Sequence, residues 1–227
     1  MMISLEGYYE NNLKGKTVAQ IMIKIRDLKN EIDHLKNIME HPDYREQMCP
    51  SESTRLQCTR LYLERAKEAL AAAGGIYIPS QAEQKAADFE ENISDISKLV
   101  FSIDRFFGDY ETRTYTFDDK QMYLDVEHSL ILKPTNFDIE LDYPCRKEPF
   151  LNGLCKLHIG EWRSEYDLRR FGRMVLDGIQ WELEIYFSNG HKPVKIYGNN
   201  AYPYNFGKFQ ELLGFEPDDE EDYEEDE

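Results

Sequence analysis

The stretch that decides the fold is QWELEIYFSNGHKPVKIY, residues 180–197. Apolar and polar side chains alternate in both of its halves, which is typical of strands that bury one face. Ser188-Asn189-Gly190 separates the halves, and an Asn-Gly pair supplies the positive φ angles that a tight hairpin needs. A third run, residues 173–176, precedes the first strand through Asp177-Gly178. The stretch therefore predicts a three-stranded antiparallel meander over 173–176, 180–187 and 193–197.

The residues around this meander predict more strands of the same sheet and helices that pack on it. Alternation with a period of two predicts strands over 112–117, 121–126, 129–132 and 137–141. Helical spacing of apolar residues predicts helices over 82–107, 148–166 and 205–213.

The first part of the chain shows helical periodicity only. Two helices are predicted, over residues 17–40 and 54–73, with a capping box at Thr17 and Gln20 and a glycine stop at Gly74. The first helix carries a narrow apolar stripe with coiled-coil spacing, which includes Ile21, Ile25, Leu28, Ile32 and Leu35. Two such helices joined by a short loop predict an antiparallel helical hairpin, whose stripe is either a packing surface or an interface with a partner or a second copy.

Together these patterns predict an α+β protein. Its N-terminal antiparallel helical hairpin is followed by an antiparallel β-sheet with packed helices and by an acidic C-terminal tail. The expected division is a hairpin arm at 1–80, an α+β domain at 81–215 and a disordered acidic tail at 216–227.

The chain of 227 residues has a formal net charge of −17, and the excess lies in two places. Residues 88–142 carry −9 and residues 216–227 carry −10, whereas the other parts are nearly neutral. This sign disfavours a broad nucleic-acid-binding surface and an anionic membrane as partners. Acids fixed on folded elements can instead imitate the regular charge of DNA. The residues expected to do so are Asp118, Asp119, Asp125, Glu127, Asp138, Glu140 and Asp142.

The sequence gives little evidence of a catalytic or metal-binding site. The four cysteines (Cys49, Cys58, Cys145 and Cys155) have no CxxC spacing, and the five histidines form no HxxxH pair. Two strands place paired carboxylates on one face, at Glu140 with Asp142 and at Glu182 with Glu184. Metal-dependent nucleases use such acids, but solvated strand faces produce the same alternation. No cofactor or metal is therefore expected, and the sequence favours a protein that is not an enzyme.

The chain shows no sign of export or of a membrane anchor. No apolar run approaches the roughly 20 residues that span a bilayer, and residues 1–6 lack the basic and apolar regions of a signal peptide. A cytoplasmic location in a bacterial host cell is the expectation.

Three segments carry a resemblance to known proteins. They are residues 157–163 (LHIGEWR), 181–190 (WELEIYFSNG) and 198–206 (GNNAYPYNF). They resemble a group of uncharacterised proteins from plasmids, phages and integrated elements of gut Firmicutes. The resemblance implies a mobile genetic element as the source and assigns no chemistry to individual residues.

Charge and resemblance together favour one function. It is a non-enzymatic acidic inhibitor, similar to anti-CRISPR proteins, that mimics DNA and binds the basic nucleic-acid groove of a defence nuclease such as a Cas protein. One alternative is a helical adaptor or accessory protein of a mobile element, with the hairpin as the partner-binding or homodimer surface. Another alternative is a metal-dependent nuclease, which requires carboxylates from separate strands to converge.

Overall fold

The computed structural model describes residues 3–46, 49–105, 109–119, 121–129, 147–175 and 177–215. Over these residues the fold is α+β, with six α-helices and one six-stranded mixed sheet. The chain divides into two units, Met1–Gln81 and Ala82–Glu227. Within the described ranges, no helix has both the length and the apolar composition that crossing a bilayer requires.

The first unit is helical. Its elements are α1 (Leu5–Asn12), α2 (Val18–Met39) and α3 (Glu52–Ala72). The predicted capping box begins α2, because the Thr17 side chain accepts from the backbone N–H of Gln20 while the Gln20 side chain accepts from that of Thr17. The backbone after α3 turns at Gly74, whose φ of +80° is the left-handed conformation that glycine adopts without strain. The two long helices are therefore confirmed, whereas α1 was not predicted.

Helices α2 and α3 pack against each other. A guanidinium nitrogen of Arg55, near the start of α3, lies 2.7 Å from a carboxylate oxygen of Glu31 in the second half of α2. Val18, which begins α2, lies beside Gly75, just after the end of α3. These contacts place the start of α2 beside the residues that follow α3, and the first turn of α3 beside the second half of α2.

The second unit contains the sheet. Its elements are α4 (Gln81–Asn92), β1 (Ile96–Arg105), β2 (Asp109–Phe117), β3 (Met122–His128), α5 (Lys147–Lys156), β4 (Glu165–Asp167), β5 (Gln180–Phe187), β6 (Val194–Asn199) and α6 (Phe206–Leu212). The strand order is β3-β2-β1-β5-β6-β4. The β2–β3 and β5–β6 hairpins and the last helix, all predicted, are confirmed.

The prediction of a purely antiparallel sheet is wrong at one edge. Strand β4 pairs with β6 in parallel, with Tyr166 opposite Gly198. Because β4 precedes β5 in the chain but lies outside β6, it joins the sheet through a crossover rather than through a hairpin. The strand predicted over 173–176 is not present at residues 173–175, and residue 176 lies outside the described residues.

The predicted helix over 82–107 is also wrong in its second half. Helix α4 ends at Asn92, and residues 96–105 form β1, which pairs with β2 on one side and β5 on the other. The spacing of Ile96, Val100 and Ile103 fits a helix, but Leu99, Phe101 and Ile103 also alternate as a strand does, and all three are buried. Residues 96–105 form a strand because they pair with β2 on one side and with β5 on the other.

The helix predicted over 148–166 ends ten residues early, at Lys156. His158 then adopts a left-handed conformation with φ of 51°, which a helix cannot continue through, and a short 3₁₀ turn leads into β4. Of the strands predicted over 129–132 and 137–141, only Ser129 falls within the described residues, and it is not in a strand.

One face of the sheet forms the core with α5 and α6. Phe101 at the centre of β1 contacts Phe209 of α6 with ring centroids 5.4 Å apart, and Tyr115 of β2 stacks on Phe150 of α5 at 5.2 Å. Such aromatic pairs contribute beyond their buried area. The helices therefore cover this face and leave the opposite face of the sheet to other contacts.

A buried arginine ties the end of α6 to the sheet. Arg113 of β2 is 3% exposed; its Nε donates to Glu111 at 2.6 Å and its Nη1 to the backbone oxygen of Leu213 at 2.5 Å. Its guanidinium lies 3.7 Å from the ring centre of Phe215, and Tyr115 donates a second hydrogen bond to the Leu213 oxygen. A charge buried this deeply is tolerated because the guanidinium donates hydrogen bonds to a carboxylate and to a backbone oxygen.

Replacing Arg113 by methionine is expected to lower the free energy of unfolding by about 3 kcal/mol, because Glu111 loses its counter-ion in a poorly solvated position. Chemical denaturation checks the value. Lys98→Met, which removes an exposed base from the neighbouring strand, is the control and should change stability by less than about 0.5 kcal/mol. An equal loss of unfolding free energy in the two variants would show that the buried contacts of Arg113 do not specifically stabilise the fold.

Candidate functional site

The sheet face that points away from α5 and α6 carries polar side chains from every strand, and we call it the open face. None of these side chains is buried. Its members are Lys98, Val100, Ser102 and Asp104 of β1; Tyr110, Thr112, Thr114 and Thr116 of β2; Tyr123, Asp125 and Glu127 of β3; Glu165 and Asp167 of β4; Gln180, Glu182, Glu184 and Tyr186 of β5; and Lys195, Tyr197 and Asn199 of β6.

Strand register arranges the open face in rows that run across the sheet. One row joins Glu127, Thr112, Ser102, Glu182 and Tyr197 in that order. Neighbours in a row are about 5 Å apart, and successive rows about 7 Å apart, because strand spacing and rise fix these distances. Backbone pairing on both sides of β1, β2, β5 and β6 makes the arrangement rigid.

Three carboxylates of the open face form neither an ion pair nor a side-chain hydrogen bond with any residue that the structure describes. They are Asp104, Asp125 and Glu182, and all three are exposed. Asp104 and Glu182 lie diagonally across the β1–β5 pair, about 8 Å apart, whereas Asp125 and Glu182 are three strands and one row apart, about 16 Å. Among the described residues, the open face therefore presents spaced carboxylates without an ion pair. Glu182 still acts on the nearby Lys195, whose pKa is raised mainly by the hydrogen bond to Glu184 and to a smaller extent by the charge of Glu182.

Two other acids of the open face, Glu184 and Asp167, form ion pairs. Glu184 forms an ion pair with Lys195 and accepts from the Tyr186 hydroxyl at 2.5 Å. These hydrogen bonds, with Lys195 the larger cause, hold the pKa of the Glu184 carboxyl below its usual value. The pKa of Asp167 is lowered in the same way by hydrogen bonds from Arg169.

Lys195→Met is expected to raise the titration midpoint of Glu184, measured by NMR of its carboxyl carbon, because the main cause of the lowered pKa is removed. A carboxyl whose folded-state pKa is lowered contributes stability above its unfolded-state pKa and loses that contribution as the pH falls through the folded-state value. The variant should therefore be less stable than the parent at neutral pH and equal to it in acid. An unchanged midpoint would contradict this assignment.

The β2–β3 turn carries Asp118 and Asp119. Asp118 accepts from the backbone N–H of Gln121 at 2.7 Å and from the Tyr123 hydroxyl at 3.0 Å, so it holds the turn, and the latter hydrogen bond raises the pKa of Tyr123. Asp119 is exposed beside it. Both acids of the turn are therefore exposed, and Asp118 also stabilises the turn through its hydrogen bonds.

The seven acids predicted as a binding surface occupy different places. Asp125 and Glu127 lie on the open face, and Glu127 accepts from the Tyr110 hydroxyl at 3.3 Å. Asp118 and Asp119 lie at the turn, whereas Asp138, Glu140 and Asp142 lie outside the described residues. Sequence reasoning did not select Asp104, because its strand was interpreted as helix, nor Glu182, which it weighed only as a metal ligand.

The predicted hairpin stripe is mostly buried inside the first unit. Ile21, Ile25 and Leu35 are at most 2% exposed, Ile32 is 8% exposed, and Leu28 is half-buried. Exposed apolar side chains lie elsewhere, at Met22 and Ile23 of α2 and at Leu61 of α3. The stripe therefore holds the helices together, and a partner would meet these other residues.

Over the described ranges, the structure gives no evidence of a metal site or of an activated nucleophile. No group of three histidine, cysteine or acidic side chains there could hold a metal ion. Glu182 and Glu184 share a strand face, as predicted, but Glu184 is engaged by Lys195. Burial, and secondarily the charge of Glu90, raises the pKa of the Cys155 thiol, the opposite of what a nucleophile needs.

The case for a function rests on the open face, whose geometry the sheet fixes. Comparisons of the chain with models of protein families, with curated proteins and with solved structures found no match.

Proposed function

We propose that this chain is a non-enzymatic acidic inhibitor of a phage or other mobile element. In this proposal it binds the basic nucleic-acid groove of a bacterial defence nuclease, as an anti-CRISPR protein of the DNA-mimic kind would. The observation that carries the proposal is a set of exposed carboxylates, Asp104, Asp125 and Glu182, that lie on one rigid sheet face and form no ion pair within the described residues. The sequence resemblance to mobile-element proteins supports the proposed source.

Rigidity is what distinguishes this surface from ordinary surface acidity. Carboxylates on paired strands keep their spacing without losing backbone freedom on binding, so little of the electrostatic attraction is offset by ordering. A groove built for nucleic acid presents clustered lysine and arginine, and a complementary acidic face accelerates encounter with it. Hydroxyls between the acids, from Ser102, Thr112 and Thr114, can donate and accept hydrogen bonds at the same surface.

The acidic tail and the helical hairpin have secondary roles in this proposal. The acidic tail, residues 216–227, steers the protein toward a basic target. The antiparallel helical hairpin, formed by α2 and α3, supplies a second contact or a homodimer interface. The exposed apolar side chains of Ile23 and Leu61 are the candidates for that contact.

The proposal is tested by capturing partners from a bacterial lysate on the immobilised protein. We expect a nucleic-acid-processing enzyme to be retained at 50 mM salt, released at high salt, and displaced by short duplex DNA at low salt. Capture of proteins that duplex DNA does not displace would contradict mimicry, and so would the absence of any nucleic-acid enzyme.

A helical adaptor is the second candidate, and the exposed Met22, Ile23 and Leu61 favour it. An apolar interface predicts a partner that resists high salt, because burial of apolar surface is not screened by ions. In that case Leu61→Asp, 53% exposed in the parent, should abolish retention while substitutions on the open face leave it unchanged.

A further inference from the structure

A cavity of about 360 Å³ opens at the end of β1, on the side of the sheet that α6 covers. Ile103 and Arg105 of β1 and Ile179 form one part of its lining, and the segment from Tyr202 to Gln210 forms the rest. Its volume falls in the range of small-molecule sites, which combine apolar walls with a few polar groups. It lies on the opposite side of the sheet from the open face.

The walls of the cavity suit a flat apolar group. Ile103 is 3% exposed and Phe206 is 7% exposed, so both belong to the core and are held in place. Phe206 contacts the ring of Tyr202 at 4.8 Å between centroids, and both residues line the cavity. Ile179, Tyr202 and Tyr204 are only partly buried, so they offer the surface that a planar ring entering here would contact.

A positive charge in the lining indicates that the ligand carries an anionic group. Arg105 is the charged residue among those that line the cavity, and no described acid lies among them. Its guanidinium forms no ion pair within the described residues. A guanidinium presents parallel N–H donors that match a carboxylate or phosphate, and Gln210 adds an amide to the lining.

Hydrogen bonds outside the cavity hold the segments that line it in place. The Asn205 side chain donates to the backbone oxygen of Leu157 at 2.7 Å and accepts from the Trp162 indole at 3.0 Å. The Asn200 side chain accepts from the backbone N–H of Ile179 at 2.9 Å. The segment 200–206, which connects β6 to α6, is thereby held in the position that shapes the cavity.

We infer that this cavity binds a small planar ligand that carries one anionic group, with the ring against Tyr202 and Tyr204 and the anion at Arg105. This site is independent of the open face and of the proposed inhibitor function.

The test uses a matched pair of probes, 1-naphthoate and the neutral 1-naphthamide, titrated into the full chain and followed by backbone amide NMR. Naphthoate is expected to saturate with a Kd on the order of 1 mM, the affinity that a fragment of its size reaches. Shifts should centre on Ile179, Tyr202 and Gly207, and naphthamide should bind at least about tenfold more weakly. Equal affinity of the two probes, shifts centred elsewhere, or no saturable binding would overturn the inference.

Three variants locate the anion. Arg105→Gln should weaken naphthoate binding about tenfold and leave naphthamide binding unchanged, whereas Arg105→Lys, which keeps the charge, should retain most of the preference for the anion. Lys208→Gln removes an exposed base from α6 outside the cavity lining and should change neither affinity. Naphthoate binding that survives Arg105→Gln, or that falls equally in Lys208→Gln, would overturn the assignment. Unchanged amide spectra of the free variants show that each is folded.

Discussion

Ile25→Asp is expected to lower the free energy of unfolding by at least about 4 kcal/mol and to cost the protein much of its helical signal. Ile25 is 2% exposed in the contact between α2 and α3, so the substitution removes a buried aliphatic side chain and leaves a carboxylate without solvent. Circular dichroism during chemical denaturation measures the change. The loss should appear without any partner, because the stripe stabilises the first unit itself.

Ile23→Asp is the matched control on the same helix. Ile23 is 48% exposed, and isoleucine and aspartate have similar helix propensities, so stability should change by less than about 0.5 kcal/mol. Stability that falls in neither variant would contradict the assignment of the stripe to internal packing. The pair also shows why partner binding through the hairpin is tested at Ile23 rather than Ile25, since a loss at Ile25 would follow from unfolding.

Removal of Asp104, Asp125 and Glu182, the carboxylates of the open face that form no ion pair within the described residues, is expected to abolish inhibition of the captured nuclease. The triple variant Asp104→Asn, Asp125→Asn, Glu182→Gln should bind about 100-fold more weakly, if each acid contributes on the order of 1 kcal/mol against a basic groove. The substituted side chains are exposed and nearly isosteric with the originals, so the fold should be unaffected. A nuclease cleavage assay with increasing inhibitor concentration measures the effect.

A second triple variant separates position from total charge. Glu91→Gln, Glu148→Gln and Glu211→Gln remove the same number of negative charges from exposed helical positions of the same unit. This control should lose no more than about threefold in affinity, because charges outside the interface act mainly by long-range attraction. If both triples weakened inhibition equally, net charge rather than the open face would be responsible.

Local sequence patterns were sufficient where one pattern dominated. The Asn-Gly turn and the alternation around it predicted β5 and the start of β6, and the capping box at Thr17 predicted the beginning of α2. Residues 96–105 were different, because their apolar spacing fits both a helix and a strand. Pairing with β2 and β5, which involves residues far apart in the chain, decided the outcome.

The candidate site depended on the same long-range pairing. Asp125 and Glu127 could be selected from charge and alternation in the β3 segment, but Asp104 could not be placed beside Glu182 until β1 and β5 were known to be neighbours. The cavity was equally hidden, because Arg105 and Phe206 are about a hundred residues apart in sequence. The sequence of residues 198–206 gives no indication of the cavity that this segment helps to enclose.

The measurement that tests the central claim most directly is the salt dependence of affinity for the captured nuclease, determined in parallel for the parent and the two triple variants. We expect the dissociation constant of the parent and of the helical-position triple to rise steeply and in parallel with salt concentration. The open-face triple should show weak binding with a clearly shallower salt dependence. The same slope in all three proteins would contradict the account, because the open face would then contribute nothing specific to binding.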